Sequence, residues 1–143
     1  MNKLNIVCLG VKNMEKSVRF YRDGLGFKTD ETSDNPESIA FNNRGSQIQL
    51  YPLDFVLEDV FQGNPPDMSS RFSGATFEML ADKKEDVDNI VANAVKYGAT
   101  VAKEPQWLEW GGYNCYFLDP DGYLWEATYC ADFKFDENGM LIS

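Results

Sequence analysis

A chain of 143 residues, 43% hydrophobic and 25% charged, has the composition of one ordinary globular domain. Its formal net charge of −10 excludes nucleic acid and anionic membrane surfaces as natural partners, because both need a basic footprint. No apolar run approaches the roughly 20 residues that span a bilayer, and the opening MNKLNIVCLGV meets Gly10 and Lys12 too early for a secretory signal, so a cytoplasmic protein is expected.

Residues 3–11, KLNIVCLGV, predict a strand. Asn13 stands where an N-cap belongs, ahead of a helix that carries Glu15 and Lys16 in its first turn and Met14, Val18 and Tyr21 on one face. Gly24 or Gly26 ends that helix. Residues 27–31 predict a short strand, Asp34-Asn35-Pro36 a turn, and residues 38–42 and 47–51 two further strands joined through Asn43-Arg44-Gly45. Pro52, Gly63, Pro65 and Pro66 then break the pattern, and residues 53–72 predict a linker with one helical turn in the amphipathic piece 53–61.

The order then restarts. Residues 74–80 predict a strand, and Asp82 with Glu85 a capping box. Val87, Ile90, Val91, Ala94 and Val95 recur at helical spacing until Gly98 stops the helix. Residues 100–102, 113–118 and 124–129 predict three strands. The last two are joined by Asp119-Pro120-Asp121-Gly122, where proline presets φ and glycine accepts a positive one. Residues 130–143 form a polar tail expected to turn at residues 136–139 and to pack Phe133 and Phe135 on the domain. The chain thus reads as β-α-β-β-β twice.

Three cysteines, Cys8, Cys115 and Cys130, are widely spaced and include no CxxC, which predicts reduced, mostly buried thiols rather than a disulfide frame. The chain has no histidine. That removes the usual general base and the commonest metal ligand, and it excludes Ser-His-Asp and Cys-His catalysis. Glu126 lies in the middle of an apolar strand, among Leu124, Trp125 and Ala127. A carboxylate there is costly to bury unless it is paired, liganded or protonated, although strand alternation also allows it to face water.

Two stretches carry a resemblance. Gly111-Gly112-Tyr113, a strand, Asp119-Pro120-Asp121-Gly122 and then Leu124-Trp125-Glu126 form one; Val11, Asn13, Ser17, Phe20-Tyr21 and Leu25-Gly26-Phe27 form the other. Together they resemble the glyoxalase/bleomycin-resistance/extradiol-dioxygenase superfamily, the vicinal oxygen chelate proteins. The resemblance implies an α+β fold in which two βαβββ modules form a curved, mixed eight-stranded sheet around a cleft, with helices outside. It places the whole chain in one domain: module 1 at 1–52, the linker at 53–72, module 2 at 73–130 and a tail at 131–143. It also implies a homodimer. The family's metal positions fall on Ile6, Gln49, Ala75 and Glu126, of which Ile6 and Ala75 hold no donor atom. No metal and no other cofactor is therefore expected.

The expected function is metal-free binding of a small aromatic or cationic molecule in an acidic cleft. Its expected lining is Gln49, Tyr51, Phe77, Trp107, Trp110, Tyr113 and Glu126, with Trp110 beside Gly111-Gly112 as a mobile rim. The alternative is a lyase, isomerase or dioxygenase-type enzyme with Glu126 as general base or as ligand of a weak divalent site, and Gln49 on the substrate oxygen. A third possibility makes Glu126 structural, bonded to a neighbouring Tyr or Gln. Lys103 and Arg71 read as solvated surface charges.

Overall fold

The first strand, β1 (Ile6–Val11), ends where Asn13 accepts a hydrogen bond on its side-chain oxygen from the Lys16 amide at 2.9 Å, capping helix α1 (Met14–Val18). The computed structural model describes residues 4, 6–42, 44–64 and 75–142. After Val18 the helix widens into one π-helical stretch, Arg19–Gly24, and Gly26 follows at φ +76°. Strands β2 (Ile39–Phe41) and β3 (Gln47–Pro52) follow, then helix α2 (Leu53–Phe61). The sheet order is β1-β3-β2, with β1 and β3 parallel and β2 antiparallel. Leu9, Val11, Ile39, Phe41, Ile48 and Leu50 share one face by register and bury against Met14, Val18, Phe20 and Tyr21. Full burial of each large apolar side chain contributes about 1.5–3 kcal/mol. Helix α2 approaches β1 closely because Gly10 has no side chain; a Cβ there would lie 2.8 Å from Leu53 Cδ1.

Residues 72–143 form a second unit, distinct from residues 1–71. Its elements are β4 (Phe77–Ala81), α3 (Lys84–Lys96), β5 (Thr100–Trp107), β6 (Tyr113–Leu118) and β7 (Leu124–Tyr129). The sheet order is β4-β7-β6-β5, with β4 parallel to β7 and the other pairs antiparallel. A parallel pair needs a crossover, and the chain from α3 to β6 supplies it. Val87, Val91 and Ala94 of α3 are buried, as are Cys115, Phe117, Trp125 and Ala127 of the sheet.

Several sequence expectations change. Residues 27–31 form no strand; one ladder-like bond, from the Asn42 amide to the Lys28 carbonyl, is 2.8 Å. The following loop is tied instead by Arg22, whose guanidinium donates to the Ser33 carbonyl at 3.2 Å and pairs with Asp34. The described residues therefore hold seven strands, where the doubled pattern implies eight. Helix α3 begins at Lys84 with Lys83 as its cap, and no side chain caps it, so the Asp82–Glu85 box is not formed. The strand expected over 100–102 runs to Trp107, with register irregularities that pass its Pro105. The linker holds a nine-residue helix rather than a single turn. The start of the strand expected at Gly74, and Arg71, lie outside the described residues. The tail turns where expected, Gly139 donating to the Asp136 carbonyl at 3.0 Å, and its Met140, Leu141 and Ile142 are exposed. No helix among the described residues is long and apolar enough to cross a membrane.

Candidate functional site

Strand β7 lies inside the second sheet, and pairing register decides which side chains stand together. Glu126 is opposite Glu78 on β4 and Tyr116 on β6; Thr128 is opposite Asn114. Lys103 on β5 is opposite Tyr116. Cross-strand partners and residues two apart project to the same side. Lys103, Asn114, Tyr116, Glu126, Thr128 and Glu78 therefore share one face. The opposite face carries Phe77, Tyr113, Cys115, Phe117, Trp125 and Ala127, and this is the face that α3 covers: the Tyr113 hydroxyl donates to Asp88 Oδ1 of α3 at 2.7 Å.

Hydrogen bonds link the first face into a chain. Lys103 Nζ donates to Asn114 Oδ1 at 2.8 Å, and Asn114 Nδ2 donates to Glu126 Oε1 at 2.7 Å. Thr128 Oγ1 donates to the same carboxylate oxygen at 3.0 Å. Asn114 and Thr128 are 2% and 1% exposed, whereas Lys103, Tyr116 and Glu126 are half-buried. The buried amide is tolerated because both its ends are satisfied by charges. Its orientation follows: the oxygen must meet the ammonium and the NH2 must meet the carboxylate. Lys103 Nζ also lies 5.5 Å from the centre of the Tyr116 ring. Among the described residues its ammonium makes no ion pair.

Glu78 and Glu126 compete for Thr128, which has one hydroxyl proton to give. Partial burial raises the Glu78 carboxyl above its ordinary range; the Thr128 hydrogen bond opposes this and the charge of Glu126 adds to it. The Tyr116 phenol is raised too, first by burial, then by its hydrogen bond with Glu126 and by the charges of Glu126 and Glu78. Glu126 is thus held by the Asn114 amide and the Thr128 hydroxyl, and the Tyr116 phenol bonds it as well, a neighbouring Tyr being one of the two partners the structural reading of the sequence named.

Within the second unit, the aromatic residues expected beside Glu126 stand apart from it. Phe77, Trp107 and Tyr113 lie on the opposite side of the sheet: Phe77 packs on Trp125 at 5.2 Å, and Trp107 on Tyr113 at 5.1 Å between ring centres. They do not wall the Glu126 face, on which Tyr116 is the aromatic residue. Trp110 is 58% exposed in the β5–β6 turn. Its ring lies over Gly112, where a Cβ would be 2.1 Å away, and the turn is closed by the Leu108 amide on the Gly112 carbonyl at 2.8 Å. The expected rim is thus a hydrogen-bonded turn. Gln49 and Tyr51 belong to the first unit, on the side of its sheet opposite the apolar core; Gln49 is opposite Cys8 and Ala40, and Tyr51 stacks on Phe55 of α2 at 5.4 Å.

Cys115 and Cys130 are buried and Cys8 is exposed. Burial pushes the Cys115 thiol up to about 11, which makes it a poor nucleophile. Ile6 and Ala75 offer hydrocarbon, and the described residues contain no group of three or more His, Cys, Asp or Glu that could hold an ion. Lys103, read from the sequence as a solvated charge, instead belongs to the network, together with Glu78, Asn114, Tyr116 and Thr128, which sequence reasoning missed. Counting outward from the Asp119–Gly122 turn would have found Tyr116 and Asn114, since Leu118 faces Leu124 and the register runs back from there.

The model of the Glyoxalase/Bleomycin resistance protein/Dioxygenase superfamily matches residues 3–127, and the chain belongs to that superfamily. Lactoylglutathione lyase GLX1 of Arabidopsis thaliana is 31% identical over 120 residues, covering 81% of this chain but 40% of that protein. The uncharacterized protein YraH of Bacillus subtilis is 29% identical over 128 residues, covering 87% of this chain and 95% of its own. Among solved structures, a glyoxalase-related enzyme from Fulvimarina pelagi superposes with a TM-score of 0.86 at 22% identity, covering 100% of this chain and 99% of that one. At that identity the likeness is one of fold. The expected α+β class stands, built from two small mixed sheets of three and four strands.

Proposed function

We propose that the protein binds a small organic molecule through a positively charged or hydrogen-bond-donating group, with Glu126 as acceptor on the polar face of the second sheet and without a metal. The observation that carries this reading is the way Glu126 is presented. Asn114 and Thr128 hold one of its oxygens at 2.7 and 3.0 Å, and Glu78 stands beside it in register. A fixed carboxylate with a second one adjacent favours a cation, and a net charge of −10 attracts one from solution. Benzylamine, titrated by NMR into wild type and Glu126→Gln, tests it. Affinity should fall at least tenfold, about 1.4 kcal/mol, with the circular dichroism spectrum unchanged; equal affinities would sink the reading.

A second, enzymatic reading is favoured by Glu78. Two neighbouring carboxyls, of which Glu78 is raised above its ordinary range by partial burial, suit proton abstraction beside a carbonyl. The lyase named among the relatives makes such an activity a proposal for this chain. Exchange of the pyruvate methyl protons for deuterium, catalysed by wild type and lost in Glu126→Gln, would support it; no catalysed exchange by wild type rejects it.

A further inference from the structure

We infer that Lys103 receives an anionic group of the same ligand, so that the ligand class is a small molecule bearing both a positive and a negative group, such as an amino acid–like zwitterion. The inference rests on the Glu126 reading above and adds the other end of the ligand. Lys103 is half-buried on the polar face of an acidic protein, yet among the described residues no carboxylate pairs with it. A partly desolvated ammonium without a counter-ion is unfavourable unless something else supplies the charge. Its three N–H donors are not exhausted: one meets Asn114 Oδ1 at 2.8 Å, and the Tyr116 ring takes another side of the ammonium.

Asn114 explains how the two charges persist side by side. Its buried amide accepts from Lys103 and donates to Glu126, so it aligns both groups and keeps them from collapsing into an ion pair. Two hydrogen bonds and one amide width place Nζ at most about 8 Å from Glu126 Oε1. A ligand with its carboxylate and ammonium several bonds apart spans that interval, each end meeting its opposite charge. The bland alternative is that Lys103 only props Asn114; a prop would act on every ligand of Glu126 alike.

The deciding probes are 4-(aminomethyl)benzoate, benzylamine and the uncharged-end isostere 4-(aminomethyl)benzamide, titrated by NMR into wild type, Lys103→Met and Lys103→Arg. Wild type should bind 4-(aminomethyl)benzoate at least tenfold tighter than benzylamine or the benzamide. Lys103→Met should remove that gain, so that the benzoate binds the variant no tighter than benzylamine does, and Lys103→Arg should restore most of it. A benzoate no tighter than benzylamine on wild type, or a Lys103→Met variant that weakens both ligands equally, overturns the inference. Should Lys103→Met lose its folded amide spectrum, the benzoate–benzamide comparison on wild type decides between the two roles of Lys103. Benzylamine binding that ignores Glu126→Gln, or is absent, is instead a failure of the underlying reading.

Discussion

Glu78 shows how much a single side chain's chemistry depends on its neighbours. In the sequence it is one of 23 acidic residues. In the sheet it stands opposite Glu126 and shares Thr128 with it, and its carboxyl is raised, mainly by burial. A raised carboxyl binds its proton more tightly in the folded chain than in the unfolded one. Its contribution therefore favours folding at low pH and is lost as pH climbs from the ordinary glutamate range through the raised value. Glu78→Gln removes that loss. Urea midpoints should fall less between about pH 4 and about pH 7 in the variant than in wild type; parallel profiles would contradict the assignment. The difference is small, because Glu78 is exposed enough for solvent to screen it.

At the level of elements, the β6–β7 hairpin organises the polar face, and its turn was legible. Asp119 is 4% exposed, and its Oδ1 accepts from the amides of Asp121 at 2.9 Å and Tyr123 at 2.8 Å, while Gly122 takes φ +90°. Asp119→Ala would leave those amides without that acceptor. We expect it to lower unfolding free energy by about 1–3 kcal/mol, read from urea denaturation, and to weaken benzylamine binding through loss of the β6–β7 register; unchanged stability would mean that solvent replaces the carboxylate. Elements whose signals are local came through: the Asn13 cap, the turn, and the α3 stripe at Val87, Val91 and Ala94, though its Val95 is exposed. Residues 27–31 did not. Their Phe27 and Thr29 suit a strand, but the half-buried Phe27 packs on Tyr21 and Phe41, and Arg22 holds the loop that follows. A strand needs a partner edge as well as propensity. The helix start at Lys84 likewise overrode the capping signal of Asp82.

For the whole molecule, charge is the property that composition states outright. A net charge of −10 and a pI near 4.4 surround the site with negative potential. Benzylamine, a monocation, should therefore bind severalfold more weakly as ionic strength rises from about 0.01 M to about 0.15 M. 4-(Aminomethyl)benzoate, neutral overall, should change little; identical salt dependence would show that the long-range field plays no part. Residue identities and contacts a few positions apart were enough to establish most of the elements, the family, the hairpin turn and the lack of imidazole donors. They could not establish that Glu126 keeps company with Lys103, Asn114 and Glu78 rather than with Phe77, Trp107 and Tyr113; that came from the folded sheet. The reason is physical: the faces of a strand alternate residue by residue, so a register shift of one exchanges them; the β4–β7 register is set by pairing between segments far apart in the chain, and the β5–β6 register by irregularities around Pro105 that local propensity does not announce.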